Sequence, residues 1–393
     1  MKSMSKKVMT GLFAGAMGLS IWAPASQAAT PEKNQYYNLK LKANTNLIWD
    51  VDSASLDNDR AILLWGGSTA EAHRQFAFFP LDGGTYAIVN KNSGKPVVVD
   101  GGPAYFTVNG QAGAFPSREA LRQESWTGAS NQQWYLRDQG NNNYEVVNQG
   151  YGKVASWAWE GTLAQHWEYT DLDDSNPSDS NRVFNIANSG SSFSLPTLPT
   201  IGTRPNAPDY NQAGNIDQQL PQTSASVVVG ASLIPCIMVK DNGASDYTKI
   251  HNSPYYVLVK EEYWEKTRSE IIPAGSSSKY TLKRGVSTVD QQKMTDTLNM
   301  SFGADLGLKF GQQSLSLKSS ISKTIQTEVS STSTDATETT EDKTINSIDG
   351  KNTGLTVYQL VTKYTLKRTD GTAVSDSWSV RDSSQTLART IAK

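Results

Sequence analysis

The chain runs to 393 residues, too long for one ordinary core and long enough for two domains once any leader is set aside. Its 36 basic and 38 acidic side chains leave a net charge of −2, which excludes the global basic field that nucleic acid demands. Ser, Thr, Asn, Gly and aromatic residues are plentiful and long apolar runs of helical period are few, so an all-β fold is predicted.

The first element is not part of that fold. Lys2, Lys6 and Lys7 form a positive start, Val8 to Ala23 an apolar stretch too short to span comfortably, and Ser26-Gln27-Ala28 a small-x-small cleavage site. This pattern predicts a signal peptide over residues 1–28, cut after Ala28, and hence a secreted protein. Cys236 is the only cysteine, so no intrachain disulfide can form in the oxidising destination that export implies.

Next comes a threefold repeat. TYAIVNKNSGK at 85–95 and NYEVVNQGYGK at 143–153 match at Tyr86/Tyr144, Val89/Val147, Asn90/Asn148, Gly94/Gly152 and Lys95/Lys153. The same offset carries Phe76 onto Trp134. Tyr37 opens an earlier strand of the same kind, and Phe184 supplies a third anchor. Units of roughly 50 residues, each closing on a large aromatic, point to internal symmetry. The anchors are His73-Arg74-Gln75-Phe76, Asn131-Gln132-Gln133-Trp134 and Asn181-Arg182-Val183-Phe184. The Gln-x-Trp of the middle one is the mark of ricin-type β-trefoils. Residues 29–195 therefore resemble such a lectin domain, with the three aromatics expected on the threefold axis.

The first repeat also resembles a ricin-type sugar site. Asp50 is followed fifteen residues later by Trp65. A carboxylate accepts paired hydrogen bonds from vicinal hydroxyls, and a flat ring covers the apolar face of a pyranose. The family's Asn-Gln pair falls on His73 and Arg74, which puts galactose-type specificity in doubt. Glu124 stands in the aromatic's place in the second repeat. In the third, Tyr169 is a candidate platform, but Ser156 replaces the Asp. Packing for Trp65 and a turn or cap for Asp50 are the bland alternatives.

Residues 196–222 carry Pro196, Pro199, Pro205, Pro208 and Pro221 among small polar residues and read as a semi-rigid linker. In the apolar run Leu233-Ile234-Pro235-Cys236-Ile237-Met238-Val239, Cys236 reads as a buried, inert thiol. That run, Gly214-Asn215-Ile216-Asp217, Pro254-Tyr255-Tyr256-Val257-Leu258, Tyr263-Trp264 and Val289-Asp290-Gln291 occur in the order found in binary insecticidal toxins of the toxin-10, or Bin, type. The resemblance runs from about residue 34 to about residue 350. It implies a trefoil joined, over residues 223–393, to an elongated aerolysin-like β-sheet or sandwich that forms pores. Several crystal-forming members lack a leader, so the leader here suggests a secreted toxin.

Within that half, Leu298, Met300, Phe302, Ala304, Leu306, Leu308 and Phe310 alternate with polar or small residues. Beyond a turn at Gly311 to Ser314 the pattern resumes with Leu315, Leu317 and Ile321. With Gln312-Gln313 as a two-residue loop, the apolar positions share one face, as a membrane-inserting hairpin requires. The same alternation fits any half-buried soluble hairpin, and the family resemblance tips the reading toward the membrane. A lone hairpin leaves edge groups unpaired in hydrocarbon at several kcal/mol each, so insertion implies a closed homo-oligomer. The Ser/Thr run from Ser319 to Thr344 reads as long strands, with a disordered linker as the alternative.

His73, His166 and His251 are widely separated, and with one cysteine they assemble no zinc pattern. Phosphate loops, dinucleotide fingerprints and the Gly-x-Ser-x-Gly elbow are missing from the sequence. Neither a cofactor nor an enzyme activity is expected. The chain reads as a secreted pore-forming insecticidal toxin or toxin component. Its expected partners are a host-cell membrane, a surface glycan or glycoprotein receptor, copies of itself and, by the resemblance, a second toxin subunit. A non-lytic lectin is the main alternative, and a glycoside hydrolase with a lectin module the lesser one.

Overall fold

The computed structural model describes residues 31–393 apart from 109, 163–164 and 331–333. The leader and its cleavage site lie outside the described residues.

The first half is built from three like units. The first holds β1 (Gln35–Leu41), β2 (Ile48–Val51), β3 (Arg60–Trp65) and β4 (Phe76–Pro80). The second holds β5 (Tyr86–Asn90), β6 (Val97–Val98), an added hairpin of β7 (Ala104–Val108) and β8 (Gln111–Phe115), β9 (Arg122–Gln123) and β10 (Trp134–Asp138). The third holds β11 (Asn143–Asn148), β12 (Val154–Thr162), β13 (Gln165–Asp173) and β14 (Phe184–Ser192). The first and last strands of each unit close an antiparallel ring in the order β1, β4, β5, β10, β11, β14 and back to β1. The register repeats faithfully: Tyr37 faces Phe76, Tyr86 faces Trp134, and Tyr144 faces Phe184. This is a β-trefoil.

The repeated letters have repeated jobs. The Asn90 side chain donates to the His73 carbonyl at 2.9 Å, and Asn148 does the same to Asn131 at 2.9 Å. Each ties the turn before an anchor to the strand after it. Gly94 and Gly152 sit at φ 74° and 69°, where a side chain is disfavoured, and their amides close back on the Asn90 and Asn148 carbonyls. Phe76, Trp134 and Phe184 are fully buried around Trp49, whose ring lies 5.8, 6.5 and 5.6 Å from theirs in edge contacts.

Residues 193–222 carry neither helix nor strand, yet they are no free tether. Ala207, Tyr210 and Leu220 are buried with Trp264, Tyr358 and Ile391, and Arg204 pairs with the buried Glu262 at 2.7 Å. The strap lies along a four-stranded antiparallel sheet in the order β15 (Val227–Pro235), β16 (Tyr255–Ile272), β21 (Thr353–Lys367), β22 (Trp378–Ala392). At about 3.3 Å per residue, β16 alone is roughly 60 Å long. Between β15 and β16 lies α1 (Asp246–Asn252), and between β16 and β21 come β17 (Ser277–Arg284), α2 (Thr288–Leu298), β18 (Met300–Phe302), β19 (Leu308–Phe310), α3 (Lys318–Thr324) and β20 (Thr339–Asn346). β17 and β20 pair as a two-stranded ladder that ends at Arg284 opposite Thr339; it rests Leu282, Tyr280 and Ile345 on Leu355 and Val357 of the long sheet and is otherwise largely exposed. Cys236 is buried beside β15, and burial pushes its thiol up to about 12, consistent with an inert side chain.

One apolar core joins the halves. Tyr36, Phe79, Val89 and Trp126 of the trefoil share a cluster with Ile237, Tyr255, Met294, Phe302, Leu308 and Trp378. Lys95 reaches across to Asp246 at 3.1 Å.

Candidate functional site

Asp50, Trp65, His73 and Arg74 line one shallow depression of about 310 Å³, together with Asp52, Ser53, Ala54, Leu63 and Thr107. β2 and β3 pair with Asp50 opposite Leu63, which sets the carboxylate close to the strand end that presents Trp65. Trp65 is 38 % exposed. Asp50 is buried and already engaged: Arg74 Nε donates to Oδ2 at 2.9 Å, and His73 Nε2 lies 3.5 Å from Oδ1. Arg74 also pairs with Glu71 at 2.7 Å. Burial pushes the Asp50 carboxyl above its ordinary value, against the pull of His73 and Arg74. His73 and Arg74 thus do more than fill the family's amide positions; they hold the carboxylate. A Cβ at Gly67 would fall 1.7 Å from the Arg74 guanidinium, so the glycine leaves that group its place. Thr107 enters from the added hairpin of the second unit, and no spacing in the first repeat announced it.

The other units differ. Glu124 lies 3.7 Å from Arg122 and accepts the Asp59 amide at 3.1 Å, so no ring is offered there. Tyr169 does not join the first-repeat depression and is no open platform. It is 4 % exposed, with its ring stacked on Phe115 at 3.9 Å and an interplanar angle of 13°. Phe115 belongs to the added hairpin, which covers the ring face a sugar would need. Ser156 is buried.

Residues 285–338, between the paired ends of β17 and β20, contain the other predicted site. They do not form the two-arm hairpin with a loop at Gln312-Gln313. Leu298 ends α2, Met300 faces Phe310 and Phe302 faces Leu308 in a small hairpin, and Leu317 and Ile321 lie on a one-turn 3-10 helix and α3. The local reasons are a cap and a turn. Ser287 Oγ accepts the Asp290 amide at 3.1 Å to start α2, and Asn299 takes a left-handed conformation (φ 53°) that ends it. Leu298, Met300, Phe302, Leu308, Leu317 and Ile321 are buried, Leu306 and Phe310 pack partly against them, and Ala304 and Leu315 are exposed.

The trefoil closes over this segment with directional contacts. Trp126 Nε1 donates to the Gln313 carbonyl at 2.7 Å, Gln312 Nε2 to the Gly128 carbonyl at 2.9 Å, and the Ser319 amide to Asp82 at 3.0 Å. Gly128, at φ 83°, lets the chains touch: a Cβ there would meet the Gln312 carbonyl oxygen at 2.0 Å. Among the described residues no helix is long and apolar enough to cross a membrane.

The family model described as Insecticidal Crystal Toxin, P42 (Toxin_10) matches residues 227–390, and that described as Ricin-type beta-trefoil lectin domain-like matches residues 22–112. The binary larvicide subunit BinA of Lysinibacillus sphaericus is 34 % identical over 199 residues, 50 % of this chain and 53 % of that protein. Subunit BinB of the same organism is 31 % identical over 182 residues, 46 % of this chain and 40 % of that one. The insecticidal crystal protein Cry35Ab1 of Bacillus thuringiensis is 30 % identical over 182 residues, 46 % of this chain and 45 % of that one. The matched region thus spans about half the length of these curated relatives. The crystal structure of Cry35Ab1 shares the fold, with a TM-score of 0.75 at 20 % identity over 91 % of this chain and 90 % of that one. In its second half the chain thus resembles the Toxin_10 family of insecticidal toxins, in its first the ricin-type trefoil lectins, and the two halves together take the fold of Cry35Ab1.

Proposed function

We propose that this protein is an exported insecticidal toxin component that binds a glycan or glycosylated receptor at Asp50 and Trp65, assembles with its own copies on the host-cell membrane, and opens a pore with residues 285–338. The names of its relatives, binary larvicide subunits, make a second toxin protein the natural further partner. The observation that supports pore formation is the place of the segment. It joins two already paired, largely exposed strands, β17 and β20, and most of its apolar side chains, Met300, Phe302, Leu308, Leu317 and Ile321 among them, are buried in the core shared by the sheet and the trefoil.

Release from that cover would let the β17–β20 ladder lengthen. Met300, Phe302, Ala304, Leu306, Leu308 and Phe310 would then line one lipid-facing side of one arm, with Leu315, Leu317 and Ile321 on the other. The strands must close into a ring of copies, because open edges are too costly in hydrocarbon. The test is dye release from insect midgut brush-border vesicles, with the chain alone and with candidate partner toxins. Release that falls when Trp65 is replaced by Ala supports the reading. Persistent glycan binding with no release from any membrane would leave a non-lytic lectin instead, and turnover of the bound glycan would leave a glycosidase.

A further inference from the structure

A second cavity, of about 560 Å³, adjoins the first-repeat depression and shares Thr107 with it. Asp57, Asn58, Asp59 and Arg60 form one side, and the added hairpin, β7 and β8, forms the other. Strand alternation gives that hairpin two unlike faces. Ala104, Phe106 and Phe115 are buried, with Phe106 and Phe115 stacked at 4.5 Å, and a Cβ at Gly113 would meet the Phe106 ring at 2.8 Å. The outer face carries Tyr105 opposite Ala114 and Thr107 opposite Ala112. Tyr105 is 45 % exposed, and the alanines beside it are too small to cover its ring.

The wall between the two cavities is tied together by hydrogen bonds. Asp52 accepts Arg60 Nη1 at 3.2 Å and the Thr107 amide at 3.0 Å, while Ser53 Oγ donates to the Thr107 carbonyl at 2.9 Å. Arg60 Nη1 also donates to Thr107 Oγ1 at 3.3 Å.

From this juxtaposition we infer that Tyr105 is the platform of a second carbohydrate subsite, so that the trefoil takes an oligosaccharide of two or more pyranose units running from Trp65 past Thr107 to Tyr105. The uncovered ring supplies the stacking face, and the carboxylates of Asp57 and Asp59, the Asn58 amide and the Thr107 hydroxyl supply partners for sugar hydroxyls. This inference rests on the proposed sugar site at Trp65.

The test uses the full chain on an array of neutral mono-, di- and tetrasaccharides built from galactose, glucose, mannose and their N-acetylated amino forms. In at least one series the longer glycan should bind about tenfold tighter than its monosaccharide, the scale of one stacked ring. Tyr105→Ala should remove that gain. Ala114→Phe, which fills the shelf without unmaking the core face, should remove it too, and both should leave monosaccharide affinity unchanged. A gain that survives both variants overturns the second subsite. So does a monosaccharide affinity that depends on Trp65 but never improves with length; in both cases the first site stands. If nothing on the array binds, or binding ignores Trp65→Ala, the first site falls and this inference falls with it.

Discussion

Trp49 ties the trefoil's three anchors together, so losing one anchor should be felt by all three units. Trp134→Ala removes a fully buried indole whose Nε1 donates to the Val97 carbonyl at 3.0 Å. It should cost about 3–5 kcal/mol of unfolding free energy in denaturant titration. Asp171 offers a pH test. Burial and the neighbouring Asp173 push its carboxyl from the ordinary 3.8 up to about 7. The folded protein therefore keeps a proton that the unfolded chain has lost, so this residue favours folding most below its ordinary value. That contribution disappears as pH rises through about 7. Asp171→Asn cannot ionise; relative to wild type it should gain melting temperature on going from about pH 5 to about pH 8.5. An equal change in both proteins would show that the group is not the one titrating. The anchors were legible in the sequence because spacing alone gives threefold symmetry. The burial of Tyr169 was not, since it depends on Phe115, a residue of the hairpin that breaks the repeat.

At the scale of elements, the alternation from Leu298 to Phe310 was legible but its present use was not. Period-two patterning says which side chains share a face of a strand. It does not say that a Ser cap at 287 and a left-handed Asn299 make a helix and a short hairpin of the same residues. Because Met300, Phe302 and Leu308 are buried now, replacing them tests folding before it tests insertion. Ala304 separates the two. It is exposed in this structure, yet it belongs to the proposed lipid face. Ala304→Arg should leave melting temperature almost unchanged and suppress dye release, since a cation at the bilayer midplane costs about 2–4 kcal/mol. Normal release by a folded Ala304→Arg protein would remove this position from the bilayer. Ser287→Ala should cost about 1 kcal/mol of stability through the lost cap and, if α2 must unwind on the way, hasten release.

For the whole molecule, the trefoil and the strap both pack against the second half. The trefoil's second unit grips residues 312–319 through Trp126 and Gly128, its first through Asp82, and the strap covers one flank of the long sheet. The strap was legible as a proline-rich connector, but not its burial, because Tyr210 and Leu220 show their partners only once β16, β21 and β22 are assembled. Gly128→Val would drive a side chain into the Gln312 carbonyl. It should lower the melting temperature and permit permeabilisation of vesicles that carry no receptor. A variant with lowered stability and unchanged receptor dependence would mean that this contact does not gate release.

The claim at the centre is that residues 300–310 leave the core and enter the bilayer as a strand. Single cysteines at each of these positions, made in a Cys236→Ser background and labelled with an environment-sensitive dye, report it directly once receptor-bearing membranes are added. Even positions should then be quenched from the lipid phase and odd positions from water, the period-two pattern of a barrel strand. Aqueous quenching at every position, or a period near 3.6, would contradict the account.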